Sequence, residues 1–339
     1  MSKPTQLTFS RAWTLASAAI AASLALHVGL SAQDGGVLED VTAEIETARF
    51  AWPLPCKVLV EETALKGGKT MVMRYEVSLR REASEATEGG AESKHLLVSL
   101  RNFEFLKLDD KDLQTDEMRR QLGPALALAA AIPDLVIDER GKFVKTSGSE
   151  AMIERVIEAQ VGVGGGHDDE AQQRMRAMLS SPAMKASVEA SARLFWDAWV
   201  GAWAAWSVAP LEKTEEATWL PIGQQRMPAT VVATHHGAVD KRPGFVKLSM
   251  ETRASSDEAR EAYAKFLTEV LGASVKDKKA FDKDKIRSLD IRSRVEVVTR
   301  LDSLRLFEAS YEKRHTIEVE GQKPQLYHEK RSYKFKWAD

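Results

Sequence analysis

Four groups of residues have types that could carry chemistry: His167-Asp168-Asp169-Glu170, His235-His236, the trio Gly162, Gly164 and Gly166, and Cys56. The acidic run offers oxygen and nitrogen donors, but four consecutive residues converge on one divalent ion only in an unusual loop. At a helix start the same run places negative charge where the helix dipole favours it, and capping is the expectation. His235 and His236 stand at a strand end, where neighbouring side chains point to opposite faces. A zinc site would need further ligands, and the chain has neither HExxH nor a cysteine pair. The glycines follow a helical pattern, with no Lys-Ser/Thr after them, so phosphate-loop and dinucleotide readings fail and a helix–helix linker is expected. Cys56 opens LPCKVLV at a strand start, as a buried, inert thiol, and as the only cysteine it forms no intramolecular disulfide. A GxSxG elbow is missing too. The expectation is a non-enzyme: no catalytic residue, no metal and no cofactor. A hydrolase with a dispersed site would need His235, His236 or His167 gathered in one cleft with carboxylates.

Aromatic surface is what the chain has in excess. Ser181–Val208 (SPAMKASVEASARLFWDAWVGAWAAWSV) holds four of the eight tryptophans, Trp196, Trp199, Trp203 and Trp206. At about 100° per residue, this i, i+3, i+7, i+10 spacing confines them to an arc of roughly 80° on one helical face. Ser181 and Pro182 read as N-cap and N1. No charge occurs from Ala198 to Ala209, so this end is expected to be buried nearly all round. Such a stripe either packs as core, with each indole N–H needing a partner, or lines an apolar cavity. Insertion into a membrane surface fits poorly, because Lys185, Glu189, Arg193 and Asp197 cancel and form no basic face. Tyr327, Tyr333, Phe335 and Trp337 share one face of the last strand, opposite. The residues expected to touch an apolar ligand are therefore Phe195, Trp196, Trp199, Trp203, Trp206, Tyr333, Phe335 and Trp337.

The elements that would position them divide the chain. Residues 34–54 read as a linker. Residues 55–148 read as a β-rich half: strands at Lys57–Thr63, Met71–Leu79 and Lys94–Leu108, a loop over Glu82–Ser93, a helix over Thr115–Ile132, and a hairpin turning at Asp138–Gly141. Residues 149–208 form a helical block. Residues 209–339 form a second β-rich half, with a turn at Pro221–Gly223, a capped helix ending at Gly272, and a solvated charge run at Asp277–Lys285. In its last three strands one face is wet and one is dry, the antiparallel pattern, and the missing β-α-β alternation argues against a doubly wound nucleotide fold. The expected class is α+β: a long, curved antiparallel sheet, half-barrel-like, with a central helical insertion packed on or closing it. One sheet containing both halves is preferred, since neither has a complete core of its own.

With 339 residues, a net charge of −2 and 44% hydrophobic residues, the chain can build a large core. Near-neutrality argues against a nucleic-acid partner. Residues 1–33 read as an export signal: Lys3 and Arg11, then the uncharged Ala12–Leu30, then small residues for cleavage near Ser31–Gln33. The uncleaved alternative is an N-terminal anchor, since the run is just long enough to span a bilayer. A periplasmic or otherwise extracytoplasmic location is therefore expected.

Export signal, long amphipathic antiparallel strands, a helical insertion between two β-rich halves and no catalytic motif together resemble the lipoprotein-carrier-like scaffold of the LolA and LppX type. The resemblance is architectural, spans roughly residues 55–337, and transfers no functional residue. It implies a curved sheet closed by helices around an apolar cavity, and hence a protein that binds an apolar or lipid-like ligand between sheet and helices. The alternative is a structural or interaction module of the cell envelope, with a protein partner and no ligand. Oligomeric state is open.

Overall fold

The computed structural model describes residues 46–82, 94–118, 123, 126, 130–164, 169–222, 225–272, 283–321 and 323–338. The expected export signal, nearly all of the Glu82–Ser93 loop, much of the Thr115–Ile132 helix, His167-Asp168 and most of the Asp277–Lys285 run lie outside these residues.

Period-2 alternation becomes strand wherever it was read. The strands are β1 (Glu46–Thr47), β2 (Cys56–Lys66), β3 (Lys69–Arg81), β4 (His95–Leu108), β5 (Lys111–Asp112), β6 (Asp134–Asp138) and β7 (Phe143–Ser147). After the helices come β8 (Ser207–Val208), β9 (Lys213–Ile222), β10 (Gln225–Ala238), β11 (Val246–Ala254), β12 (Ile286–Thr299), β13 (Leu306–Val319) and β14 (Gln325–Trp337). The helices are α1 (Ser149–Gly164), α2 (Asp169–Leu179), α3 (Pro182–Trp196) and α4 (Asp257–Gly272).

Among the described residues, twelve strands make one open antiparallel sheet, in the order β7-β6-β4-β3-β2-β14-β13-β12-β11-β10-β9, with β5 beside β4. Both β-rich halves belong to it, joined where β14 pairs with β2. The two edge strands, β7 and β9, are consecutive long strands in the chain, and α1–α3 run between them. The helical block thus bridges the sheet's open edges. One core cluster includes residues of β6, β2, β11 and the α3 region together. Laid flat, strands from β6 to β10 would span about 38 Å, so the sheet curves around what it encloses.

The outward face carries cross-strand ion pairs such as Lys247 with Glu296 (3.1 Å) and Lys57 with Glu76 (3.1 Å). Such pairs contribute roughly 0.2–1 kcal/mol each. The inward face holds two apolar clusters. One gathers Val58, Val60, Tyr75, Val295, Val297, Tyr333 and Phe335 around the tryptophans. The other packs Ala259, Ala262 and Tyr263 of α4 on Leu289, Ile291 and Ile317. Both use the odd-numbered residues of β12, so they occupy one face at its two ends.

Four details correct the sequence reading. Residues 46–53 are a structural part of the core rather than a linker: Ala48 N–H donates to Trp206 O (2.9 Å), Arg49 N–H to Leu301 O (2.8 Å), and Trp52 is buried. Gly162 and Gly164 lie in α1, not after it. Pro221 and Ile222 lie within β9, opposite Arg226 and Gln225, so the chain reverses only after Ile222, and Gly223 lies outside the described residues. A proline fits there because β9 is an edge strand with no outer neighbour requiring its missing N–H. Finally, the tryptophan helix is not continuous to Val208.

Helix α3 starts as expected, with Ser181 Oγ accepting from Met184 N–H (3.3 Å) and Pro182 at its first position. It then widens into a π-turn over Asp197–Gly201. Ala205, at φ 64°, ends it, and its N–H donates to Ala48 O (3.1 Å). The wide turn depends on Gly201: a Cβ there would meet Asp197 Oδ1 and lie 3.2 Å from Trp196 Cδ1. Gly201→Ala is expected to destabilise by about 1–3 kcal/mol in urea titration. Adding Asp197→Ala should recover part of that loss; strictly additive losses would refute the proposed clash.

Candidate functional site

The eight aromatic residues singled out by spacing are assembled by α3, its π-turn and β14. Trp196, Trp199 and Trp203 are each 0% exposed, while Phe195, Trp206 and Trp337 stay half-buried. Trp199 meets Phe195 (ring centroids 4.2 Å), Phe335 (5.0 Å) and Tyr333 (5.2 Å). Trp203 meets Trp206 at 5.6 Å. The π-turn breaks the single stripe, so the indoles form a plug rather than one helical face. Sequence reasoning missed two members of this plug. Trp52 stands edge-on to Trp337 (4.8 Å) and Trp196 (5.7 Å), and Phe50 lies 6.2 Å from Trp196. Their signal was present as two aromatics in an aperiodic stretch, which periodicity does not detect.

Hydrogen bonding divides the indoles. Trp52 Nε1 donates to Leu304 O (2.9 Å), Trp196 Nε1 to Gly141 O (2.7 Å) and Trp337 Nε1 to Leu306 O (2.7 Å). Gly141 has φ +83°, and a Cβ there would lie 2.7 Å from Phe50 Cγ, so only glycine lets the β6–β7 turn reach both rings. Trp199 Nε1 and Trp203 Nε1 are buried without a partner. An orphaned buried donor of this kind costs roughly 1–3 kcal/mol.

Between the plug and the α4 cluster, the inward face carries charge. Strand registers set Thr252 opposite Ser293, Ser293 opposite Lys313, Lys313 opposite Glu329, and Glu329 opposite Lys66. One step toward the plug, Tyr311 faces Arg331; one further, Tyr333 faces Glu62. One step toward α4, His315 faces Tyr327. Glu62, Thr252, Ser293, Lys313, His315 and Glu329 are all buried. This group was legible but unread: Glu329 and Arg331 share the strand parity of Tyr327, Tyr333 and Phe335.

Arg331 ties the carboxylates together, at 2.7 Å from Glu329 and 3.5 Å from Glu62, with a third of its side chain still exposed. Tyr327 Oη donates to Glu329 (2.5 Å) and Tyr75 Oη to Glu62 (3.1 Å). Burial raises the Glu62 pKa, against the pull of Arg331 and Tyr75. Burial also pushes Glu329 upward, but Arg331, Tyr327 and Lys66 outweigh it and hold that carboxyl below its usual range. Lys313 is brought down to about 8 by burial, with Glu329 opposing and Lys66 adding to the fall. Burial and then Lys313 lower His315 to about 3, so it is neutral at ordinary pH.

The other candidates do not converge. His235 is buried and His236 exposed, on opposite faces of β10, with His236 Nε2 2.7 Å from Ser249 Oγ. Cys56 is half-buried and burial raises its pKa, which disfavours the reactive thiolate. Among the described residues no cluster of three or more His, Cys, Asp or Glu could hold a metal. A cleft of about 470 Å³ opens at the rim beside Arg49, Phe245 and Arg300, and one of about 210 Å³ beside Arg101, Asp134 and Arg155. Neither is lined by the tryptophans or the charged row. Both hold arginines already paired, Arg300 with Asp302 (2.8 Å) and Arg101 with Asp134 (2.5 Å).

No family model matches the chain, and no curated protein matches it. Among solved structures, one of lipovitellin, titled for its lipid–protein interactions, matches at 6% identity with a TM-score of 0.39. The match covers 83% of this chain and 25% of that one, so this chain spans about a quarter of the other's length. A likeness of that degree identifies neither a family nor a ligand.

Two outcomes follow from the site's electrostatics. Arg331→Met should destabilise by on the order of 3 kcal/mol, since it leaves Glu62 and Glu329 without their shared cation; a neutral result by urea titration would refute this pairing. Asp197, in the π-turn, is raised to about 7 by burial, against Arg193 and Lys142. Unfolded, it ionises near pH ~4. Between those values only the folded chain keeps the proton, so rising pH removes stability, by about 4 kcal/mol in total once pH passes 7. Asp197→Asn should therefore be more stable than the parent at pH 8 and nearly equal to it at pH 4. Identical stability differences at both pH values would refute the shift.

Proposed function

We propose that this chain is an exported, non-catalytic protein that holds an amphiphilic, lipid-like molecule against the inward face of its sheet. The observation that carries the reading is the order of surfaces on that face. An aromatic plug, a charged row and the α4 apolar cluster succeed one another along single strands. Buried charge on an otherwise dry face is costly and is not needed for packing, and such groups concentrate at functional sites. An amphiphile matches that order, with its chain against apolar side chains and its polar end at the row. Half-buried Tyr311, opposite Arg331, and half-buried Val231, opposite Thr252, offer apolar surface at the row. Trp196, Trp199 and Trp203 form the end wall behind them, with Tyr333 and Phe335 beneath. Export rests on Lys3, Arg11 and the apolar run that follows, with cleavage near Ser31–Gln33.

A second reading, an envelope module that docks a protein, draws on the sheet's edge. Edge strand β9 carries Trp219 at 56% exposure, with Leu211 just before it at 76%. An open edge with exposed apolar side chains is a docking template.

Native mass spectrometry of the protein purified without detergent from its own compartment separates the two. The expected result is a mass lacking about 33 residues, plus an adduct of lipid mass. That adduct should vanish in a Val231→Arg/Tyr311→Arg variant whose circular dichroism is unchanged. A bare protein mass, with tryptophan fluorescence unmoved by added lipid, would sink the ligand reading and leave the β9 edge as the surface to pursue.

A further inference from the structure

We infer that the rim cleft beside Arg49 and Arg300 binds a phosphomonoester, with those two guanidinium groups as its donors. The inference uses residues outside the inward face and stands apart from the ligand-holding reading above.

The cleft is built from segments that the fold pins together. Thr47 pairs with Ser207, and Arg49 N–H donates to Leu301 O (2.8 Å). Arg49 is thereby hung on the β12–β13 turn, which carries Arg300 and Asp302. The β10–β11 turn supplies Gly244 and Phe245 to the same cleft. Its volume of about 470 Å³ lies within the range of small-molecule sites.

Donors and acceptors there are unequal. The lining carboxylate, Asp302, is engaged at both oxygens. Arg300 Nε donates to Oδ1 (3.1 Å) and Arg300 Nη2 to Oδ2 (2.8 Å), while Ser303 Oγ donates to Oδ1 (2.8 Å). The bond from Arg300 holds that carboxyl below its usual range. Asp302 therefore grips one edge of the Arg300 guanidinium and orients it, leaving Nη1 for a ligand. Gly244, at φ +78°, puts no side chain against that group; a Cβ there would stand 3.9 Å from Nη1 and from Nη2. Among the described residues, the Arg49 side chain pairs with no carboxylate and no carbonyl. A cation entering the cleft would meet a carboxylate already bonded, whereas an anion meets two guanidinium groups. Two such groups favour phosphate over carboxylate. A carboxylate has two oxygens and satisfies one fork, whereas a phosphomonoester has three free oxygens and can serve both. Lys241, Arg242 and Arg305, on the same two turns, add positive charge against one further acid, Asp240. Phe245, edge-on to Phe307 (6.1 Å), offers an aromatic wall to the ester's organic part.

Two assays test the site and separate a soluble phosphate ester from a lipid head group. Isothermal titration calorimetry uses glycerol 3-phosphate, with glycerate as its carboxylate counterpart. Flotation uses phosphatidylcholine vesicles with and without phosphatidic acid. Glycerol 3-phosphate is expected to bind about ten-fold tighter than glycerate, as one additional charge-assisted contact predicts. Arg49→Met should weaken the phosphate about ten-fold. Arg49→Lys, which keeps the charge but not the fork, should recover only part of that loss. Arg300→Lys reads the second donor independently. Both arginines are exposed, so these variants leave the core intact. Lys330→Met, exposed on the outward face of β14, should change nothing. Calorimetric binding without flotation supports the site with a soluble ester as its ligand. Flotation that needs phosphatidic acid and is lost in Arg49→Met supports it with a lipid head group. Equal affinity for glycerol 3-phosphate and glycerate, or a loss in Lys330→Met as large as in Arg49→Met, would overturn it. So would a failure to engage either the phosphate or the phosphatidic acid vesicles. None of these results bears on whether the inward face holds a ligand.

Discussion

Nine consecutive residue pairs between β14 (Glu329–Trp337) and β2 (Val58–Lys66) hold this molecule together. They join the chain's last strand to its first long one, across some 270 residues of sequence. Without that ladder there are two incomplete sheets, each with an unpaired edge. With it the described strands form one sheet that runs from β7 to β9. Its register has a second consequence. Side chains alternate with period 2, so a slip of β14 by one residue would turn Glu329, Arg331, Tyr333 and Phe335 outward and disrupt the charged row and the floor of the plug together. A ladder closed over so long a loop forms only after the entropy of bringing its ends together has been met, which predicts late assembly of the site.

The helical block follows from the same geometry. An open curved sheet leaves its inward face and both edges exposed, and α1–α3 run from one edge to the other. Their tryptophans fill the concavity at one end, while α4, inserted between β11 and β12, covers the other. The π-turn at Asp197–Gly201 is the local adjustment that fits so many indoles against strands from opposite sides of the sheet. It requires a glycine inside the turn and a buried carboxyl beside it, two features that would be liabilities in an ordinary surface helix.

The charged row sits where these two apolar ends meet. Its members come from β2, β11, β12, β13 and β14, and apart from same-strand neighbours (Glu62 with Lys66, Lys313 with His315, Glu329 with Arg331) its acids and bases are far apart in sequence. Their proximity is a product of strand register, which explains why motif-based reasoning about metals, nucleotides and nucleophiles found nothing while charges were nonetheless buried together.

Much of the fold was legible from local pattern. Alternation marked nearly every long strand because a sheet with one wet face imposes period 2 on the chain itself; Phe103 and Phe105 break the pattern where Asn102, at φ 58°, interrupts β4. Ser181-Pro182 marked the start of α3 because capping is satisfied within a few residues. The aromatic residues were found because they cluster in sequence. Local pattern could not reveal that residues 46–53 thread into the core, since their hydrogen bonds go to Trp206, Leu301 and Ser303. Nor could it show that the tryptophan helix widens at Asp197, or that Glu62, Lys313 and Glu329 meet. Periodicity is a property of one strand or helix in isolation, and the sequence determined that much. Which strands become neighbours, in what register, and what they enclose depends on contacts across hundreds of residues, and only the tertiary structure decided it.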